Sequence, residues 1–82
     1  MYTVYAISSI SRSYIYVGLT SNLTNRLNRH YKGYEKTTKP YRPFKLIYSE
    51  VCDTRPEARI REKYWKSGIG KEKLKIIKNT MK

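Results

Sequence analysis

The chain has 82 residues, and 18 Lys and Arg against six Asp and Glu leave it at +12 at pH 7. That length supports one modest core, since folding a chain of this mass buries roughly 9,000 Å², and no apolar run approaches the ~20 residues needed to span a bilayer. A single cysteine, Cys52, excludes an internal disulfide and a cysteine-built zinc site, and one histidine leaves little for a His-rich metal centre. The N-terminus lacks the charged-then-apolar layout of a signal peptide, so a cytoplasmic protein is the expectation. A domain this basic, with pI ≈ 10.0, is expected to bind a polyanion, nucleic acid first and anionic membrane second.

Tyr2 to Ile7 is β-rich, Ser8 to Ser13 is a small polar loop, and Tyr14 to Leu19 is β-rich again, which reads as a hairpin. Pairing Ser8 with Ser13 leaves the loop Ser9 to Arg12 and sets Tyr5 directly opposite Tyr16, with both side chains on one face. Ser21 or Asn22 caps a helix running to about Lys32, with Gly33 as its stop. Leu23, Leu27 and Tyr31 make its apolar stripe. Arg26 and His30, four apart, lie along one flank of that stripe and point along the edge of the core.

Tyr34 to Pro43 is a basic loop with two prolines, and Phe44 to Val51 is a third strand. Thr54 and Glu57 have the spacing of a capping box. The helix they open runs to about Ser67, where Gly68 and Gly70 break it, and a last basic helix spans about Lys71 to Lys78. The whole is an α+β fold: a small three-stranded antiparallel sheet flanked by helices, in the order β-β-α-β-α-α, as one domain over residues 1–82. Ala58, Trp65 and Ile69 form the buried stripe of the second helix, and Glu62 falls within about 40° of its centre. A carboxylate there must be paired, protonated or bound to a metal, because an isolated buried charge is too costly. A salt bridge to Arg26, Lys66 or another cation is the structural alternative to a metal.

Taken in order, Thr3-Val4-Tyr5, Tyr16-Val17-Gly18, Asn22-Leu23-x-x-Arg26-Leu27-x-x-His30 and Glu57-Ala58-x-x-Arg61-Glu62-Lys63 resemble the signature of the GIY-YIG nucleases. The likeness runs from Tyr2 to Ile77. It is closest to the small stand-alone branch related to the nuclease domain of the repair protein UvrC. The first motif departs from the family, reading Thr-Val-Tyr with its Tyr kept, and Leu19 stands where some members carry a Lys.

The resemblance implies the GIY-YIG fold and a metal-dependent endonuclease acting on DNA, structure-selective or weakly sequence-specific. Repair or recombination is the expectation by analogy. Carried onto this chain, it makes Glu62 the sole protein ligand of Mg²⁺ or Mn²⁺. Tyr5 would position or deprotonate the attacking water, Tyr16 would hydrogen-bond near the water or phosphate, and Arg26 would clamp the phosphate. His30 would join the catalytic set. Gly18 would let backbone approach the site. A phenol with a pKa near ~10 is a poor base unless the site lowers it.

Lys36, Lys39, Arg42 and Lys45 are expected to contact phosphates, with Tyr34 and Tyr41 stacking on exposed bases. The last helix, with Lys71, Lys73, Lys75 and Lys78, is a further part of the basic footprint. No membrane is expected, and the protein would join the nucleoid when bound to DNA. A partner protein supplying targeting is expected, because so small a domain has little room for sequence reading. The alternative is a non-catalytic nucleic-acid-binding module that keeps the nuclease fold. A protein that docks on RNA or ribosomes ranks last.

Overall fold

The computed structural model describes residues 1–80. Strand β1 (Tyr2–Ser9) is the middle strand of a three-stranded antiparallel sheet, with β2 (Ile15–Thr20) on one side and β3 (Phe44–Cys52) on the other. Helices α1 (Leu23–Lys32), α2 (Arg55–Lys66) and α3 (Gly68–Thr80) complete the expected order β-β-α-β-α-α. No helix among the described residues is long and apolar enough to cross a membrane.

Alternation along β1 divides the protein into two cores. Val4 and Ala6 face one way and pack with Val17, Ile47, Ala58, Trp65 and Leu74, beneath α2 and α3. Tyr5 and Ile7 face the other way and pack with Tyr16, Phe44, Leu23 and Leu27, beneath α1. Strand β1 is therefore buried on both faces, and its alternate residues serve different cores. An irregularity between Ala6 and Ile7 in the β1–β3 pairing leaves Ile47 as an extra residue, which puts the sequence neighbours Ile47 and Tyr48 on the same core.

The hairpin register differs from expectation by two residues. Tyr5 lies opposite Gly18, and Tyr16 lies opposite Ile7. A slip of two preserves the face, so both tyrosines still stand on the same side. The turn is correspondingly longer, with Ser9 receiving the backbone N–H of Arg12 on its hydroxyl at 3.0 Å.

Two stripes also shift. On α1 the residue that enters the core is His30, fully buried, whereas Tyr31 is exposed. Asn22 caps this helix by accepting the Asn25 N–H at 3.1 Å, and Gly33 ends it in the left-handed region. On α2 the chain turns at Ser67, and Ile69 is left exposed. The two glycines begin α3 instead of preceding it. Ser67 Oγ accepts the Gly70 N–H at 3.2 Å and so caps the new helix. A Cβ on Gly70 would collide with the Tyr64 carbonyl and the Trp65 backbone, so glycine permits the close approach of α3 to α2. Thr54 caps α2 as expected, accepting the Glu57 N–H at 3.3 Å.

Candidate active site

Tyr5 is completely buried at the centre of the α1 face. Its ring lies across Gly18. A Cβ there would come within 2.5 Å of Tyr5 Oη and 2.9 Å of Tyr16 Cε2. Gly18 is itself buried, and its φ is not positive. Its role is therefore space for the two phenol rings, a different reason from the backbone approach expected of it. The rings of Tyr5 and Tyr16 stand 6.3 Å apart, and His30 completes the cluster at 5.8 and 5.1 Å from them.

Hydrogen bonds order these groups. Tyr5 Oη lies 2.8 Å from His30 Nε2, and His30 Nδ1 lies 2.8 Å from Thr38 Oγ1. The Thr38 hydroxyl gives its proton to the Glu35 carbonyl at 3.4 Å. It therefore accepts from His30 Nδ1–H, which leaves Nε2 bare to accept the Tyr5 proton. Burial pushes the His30 imidazole below its ordinary value; Glu35 opposes this, while Arg26 and Arg29 add to it. The ring is thus neutral at pH 7. Burial also pushes the Tyr5 phenol far up, with Tyr16 adding to the effect and Arg26 opposing it. The structure does not lower this phenol into the range of a free base; it pairs the phenol with an imidazole acceptor. Sequence reasoning placed His30 at the edge of the core, whereas it sits inside it.

Arg26 lies beside both tyrosines. Its Nε is the single buried side-chain nitrogen or oxygen without a hydrogen-bond partner among the described residues. The neighbouring acid, Glu35, is committed elsewhere: its Oε2 accepts Arg29 Nε at 2.6 Å, and its Oε1 stays 4.0 Å from Arg26 Nη2. The Arg29 hydrogen bond holds the Glu35 carboxyl below the usual range, with Arg26 contributing. A buried guanidinium Nε–H without a partner is a donor that an anion completes. Beside it lies a polar cavity of about 220 Å³ lined by Tyr2, Leu19, Thr20, Ser21, Arg26 and Arg55. Two guanidinium groups and no acid line it.

Glu62 stands on α2, which packs on the other face of the sheet from α1. Flanked by the buried Ala58 and Trp65, its side chain is 15% exposed and pairs with Lys66 Nζ at 3.3 Å. No hydrogen bond or ion pair among the described residues joins it to Tyr5, Tyr16, Arg26 or His30. No three His, Cys, Asp or Glu side chains among the described residues converge to hold a metal. A hard cation such as Mg²⁺ needs less, binding through one or two carboxylates with waters and substrate phosphate. Glu62 supplies one such carboxylate, so the donor chemistry fits.

The basic loop is partly engaged. Arg42 lays its guanidinium over Gly33 at the end of α1, and Lys36, Lys39 and Arg42 are exposed while Lys45 is half-buried. Tyr41 does not await a base, because it stacks on Tyr14 at 3.8 Å and carries the Arg12 guanidinium at 5.5 Å. Tyr34 remains exposed. Thr38, Glu35 and Arg55 were not singled out from the sequence. A Thr eight residues past the helix histidine carries no periodicity signal, and Arg55 read only as the first residue after a cap.

A family model described as the GIY-YIG catalytic domain matches residues 1–75. The chain belongs to the GIY-YIG family. Its relatives include the UPF0213 protein of Pediococcus pentosaceus, 42% identical over 65 residues, covering 78% of this chain and 68% of that one. A UPF0213 protein of Staphylococcus saprophyticus is 38% identical and covers 77% of this chain and 78% of its own. One from Clostridium perfringens is 38% identical, with 77% and 69% covered. These are small GIY-YIG proteins whose names state no activity. No solved structure matches the chain significantly. Membership implies nuclease-type chemistry on a nucleic-acid substrate.

Proposed function

We propose that this GIY-YIG protein is a metal-dependent endonuclease that hydrolyses phosphodiester bonds in DNA, with preference for strand structure over sequence. The observation that carries the reading is the buried relay Tyr5–His30–Thr38 beside the unpartnered Nε–H of Arg26. A protein that only binds nucleic acid needs no proton acceptor behind a buried phenol.

Arg26 holds the scissile phosphate, and Arg55 reaches the same cavity from the start of α2. As the attacking water forms its bond to phosphorus, its proton passes to Tyr5 Oη, and the Tyr5 proton passes to His30 Nε2. The bond from phosphorus to the leaving sugar oxygen breaks, and that oxygen takes up a proton from solvent to leave as a hydroxyl. His30 returns its proton to Tyr5 Oη, and Tyr5 releases one toward the emptied phosphate site, after the product departs. Thr38 keeps Nε2 bare by fixing the proton on Nδ1. Tyr16 orients the water and phosphate. Mg²⁺ or Mn²⁺ held by Glu62 would supply charge stabilisation at the phosphate and leaving oxygen. Repair or recombination is the setting proposed, with a targeting partner supplying what so small a domain lacks.

The test is cleavage of labelled single strands, duplexes, flaps and branched junctions with Mg²⁺, Mn²⁺ or EDTA, with Glu62→Ala alongside. Metal-dependent cutting that disappears in the variant, while binding holds or improves, supports the assignment. Cutting retained by the variant removes Glu62 from the mechanism. Tight binding by the parent protein without cutting on any substrate moves the protein to the binding-module class.

A further inference from the structure

Away from the tyrosine cluster, α3 and the start of β2 enclose a second cavity of about 340 Å³. Ser13, Tyr14 and Ile15 form one wall, and Lys71, Lys75 and Lys78 the other. The three lysines recur at i, i+4 and i+7 and so share one face of the helix. Lys73, on the same helix, points elsewhere and sits 5.3 Å over the Tyr64 ring. The basic helix is therefore sorted into cations that line a groove and one that does not.

Lys71 is half-buried and donates its ammonium to the Ile15 carbonyl at 2.7 Å. Strand β2 is an edge of the sheet, so this contact closes part of an open backbone row. No carboxylate pairs with Lys71 or Lys78 among the described residues; Glu72 meets Lys75 only at an exposed 3.5 Å. Lys66, the ion-pair partner of Glu62, is close enough to repel the Lys71 ammonium. Seven helical residues span about 10 Å. A run of that length can meet more than one phosphate of a single nucleic-acid strand.

We propose that this groove is a separate DNA-backbone site, in which Lys71, Lys75 and Lys78 hold phosphates of one strand of the bound DNA. It rests on the reading of DNA as the substrate, but not on cleavage. Its contribution is sequence-independent affinity and register, since phosphate contacts position a duplex without reading it.

The test is binding of a fluorescein-labelled DNA duplex in EDTA, by anisotropy, across a series of salt concentrations. The double variant Lys75→Gln/Lys78→Gln leaves Lys71 on its carbonyl, and a thermal melt confirms that it is folded. The control, Lys63→Gln/Lys73→Gln, removes the same charge outside the groove. Each lost phosphate contact lowers the slope of log affinity against log salt by about 0.9. The groove variant should therefore lose about 1.8 from the slope while the control loses almost none. Equal losses in both variants make the attraction one of net charge and overturn the site, as does an unchanged slope in the groove variant. A parent protein that fails to bind DNA overturns the substrate reading itself.

Discussion

Gly18→Ala is the sharpest probe of the tyrosine cluster, because one methyl group tests both packing and proton relay. The added Cβ would sit 2.5 Å from Tyr5 Oη and 2.6 Å from Tyr5 Cζ, and ordinary contact begins near 3.4 Å. Tyr5 must therefore retreat by close to an ångström. The ring is fully buried, and its hydroxyl is only 2.8 Å from His30 Nε2. A displacement of that size breaks the hydrogen bond or strains the ring against His30. Overpacking costs about 1–3 kcal/mol, and a buried donor and acceptor separated from each other cost about 1–3 kcal/mol more. The expected loss is about 2–6 kcal/mol. At about 4–8 °C per kcal/mol for a domain of this size, the melting temperature falls by roughly 10 °C or more. A double-mutant cycle with Tyr5→Phe isolates the contact. Removing the hydroxyl relieves the nearest clash, so Gly18→Ala should cost less in the Tyr5→Phe background than alone, with a coupling of about 1–2 kcal/mol. A Gly18→Ala protein that melts within about 2 °C of the parent, a shift below about 0.5 kcal/mol, refutes the packing. Additive costs refute the role of the hydroxyl.

The protein has one histidine, so its imidazole resonances report His30 without ambiguity. Its titration midpoint should fall below the ordinary ~6.5, because burial and the nearby arginines disfavour the charged form. The stability contributed by keeping this ring neutral is present above the unfolded value and is lost as pH falls through the folded one. Cleavage should follow the same acid limb, and a midpoint at or above the ordinary value would contradict the burial argument. Thr38→Val, nearly isosteric, strips the acceptor from His30 Nδ1–H. It should cost about 1–3 kcal/mol and leave the ring free to exchange tautomers, which nitrogen chemical shifts detect. A single retained Nδ1–H tautomer in that variant would show that Thr38 does not set it.

Most of the element order was legible because its signals are local. Asn22 and Gly33 bracket α1, and Thr54 opens α2, through bonds made within a few residues. Local chemistry does not fix what depends on distant neighbours. The hairpin register follows from Gly18 having to lie under the Tyr5 ring, a contact across two strands. Ser67 and Gly70 turn the chain into α3 because α3 approaches the backbone of Tyr64 and Trp65, which no propensity reveals. On α1, periodicity gave a stripe but not its centre. His30 displaces Tyr31 from the interior because Tyr5 and Thr38 offer both ring nitrogens partners there. The tyrosines, Arg26 and His30 were visible as a set only through the resemblance of their motifs to the GIY-YIG signature. Thr38, which fixes the histidine, was not.

The proposed chemistry has its groups on both sides of the sheet, and the sheet is narrow enough for that to work. Tyr5, Tyr16, Arg26 and His30 lie on the α1 face, and Glu62 belongs to the helix on the other. With β2 as an outer strand, no further strand separates the two faces along that side. Adjacent strands are about 4.8 Å apart, so the β2 edge is within a side chain's reach from either layer, as Lys71 demonstrates by bonding to Ile15 from α3. In the proposed mechanism a phosphate lying along this edge would meet Arg26 from one side and the Glu62 carboxylate from the other. The arrangement separates two electrostatic tasks that would interfere at close quarters. A cation binds a carboxylate best when no guanidinium competes for it, and Arg26 binds phosphate best when no acid occupies it. Glu35 and Lys66 already show the pairings that proximity would impose, each held by a neighbour of opposite sign. On this reasoning substrate, rather than the folded protein alone, brings the two halves of the site into register. Arg26 and Glu62 should then show little energetic coupling in the stability of the free protein and strong coupling in turnover.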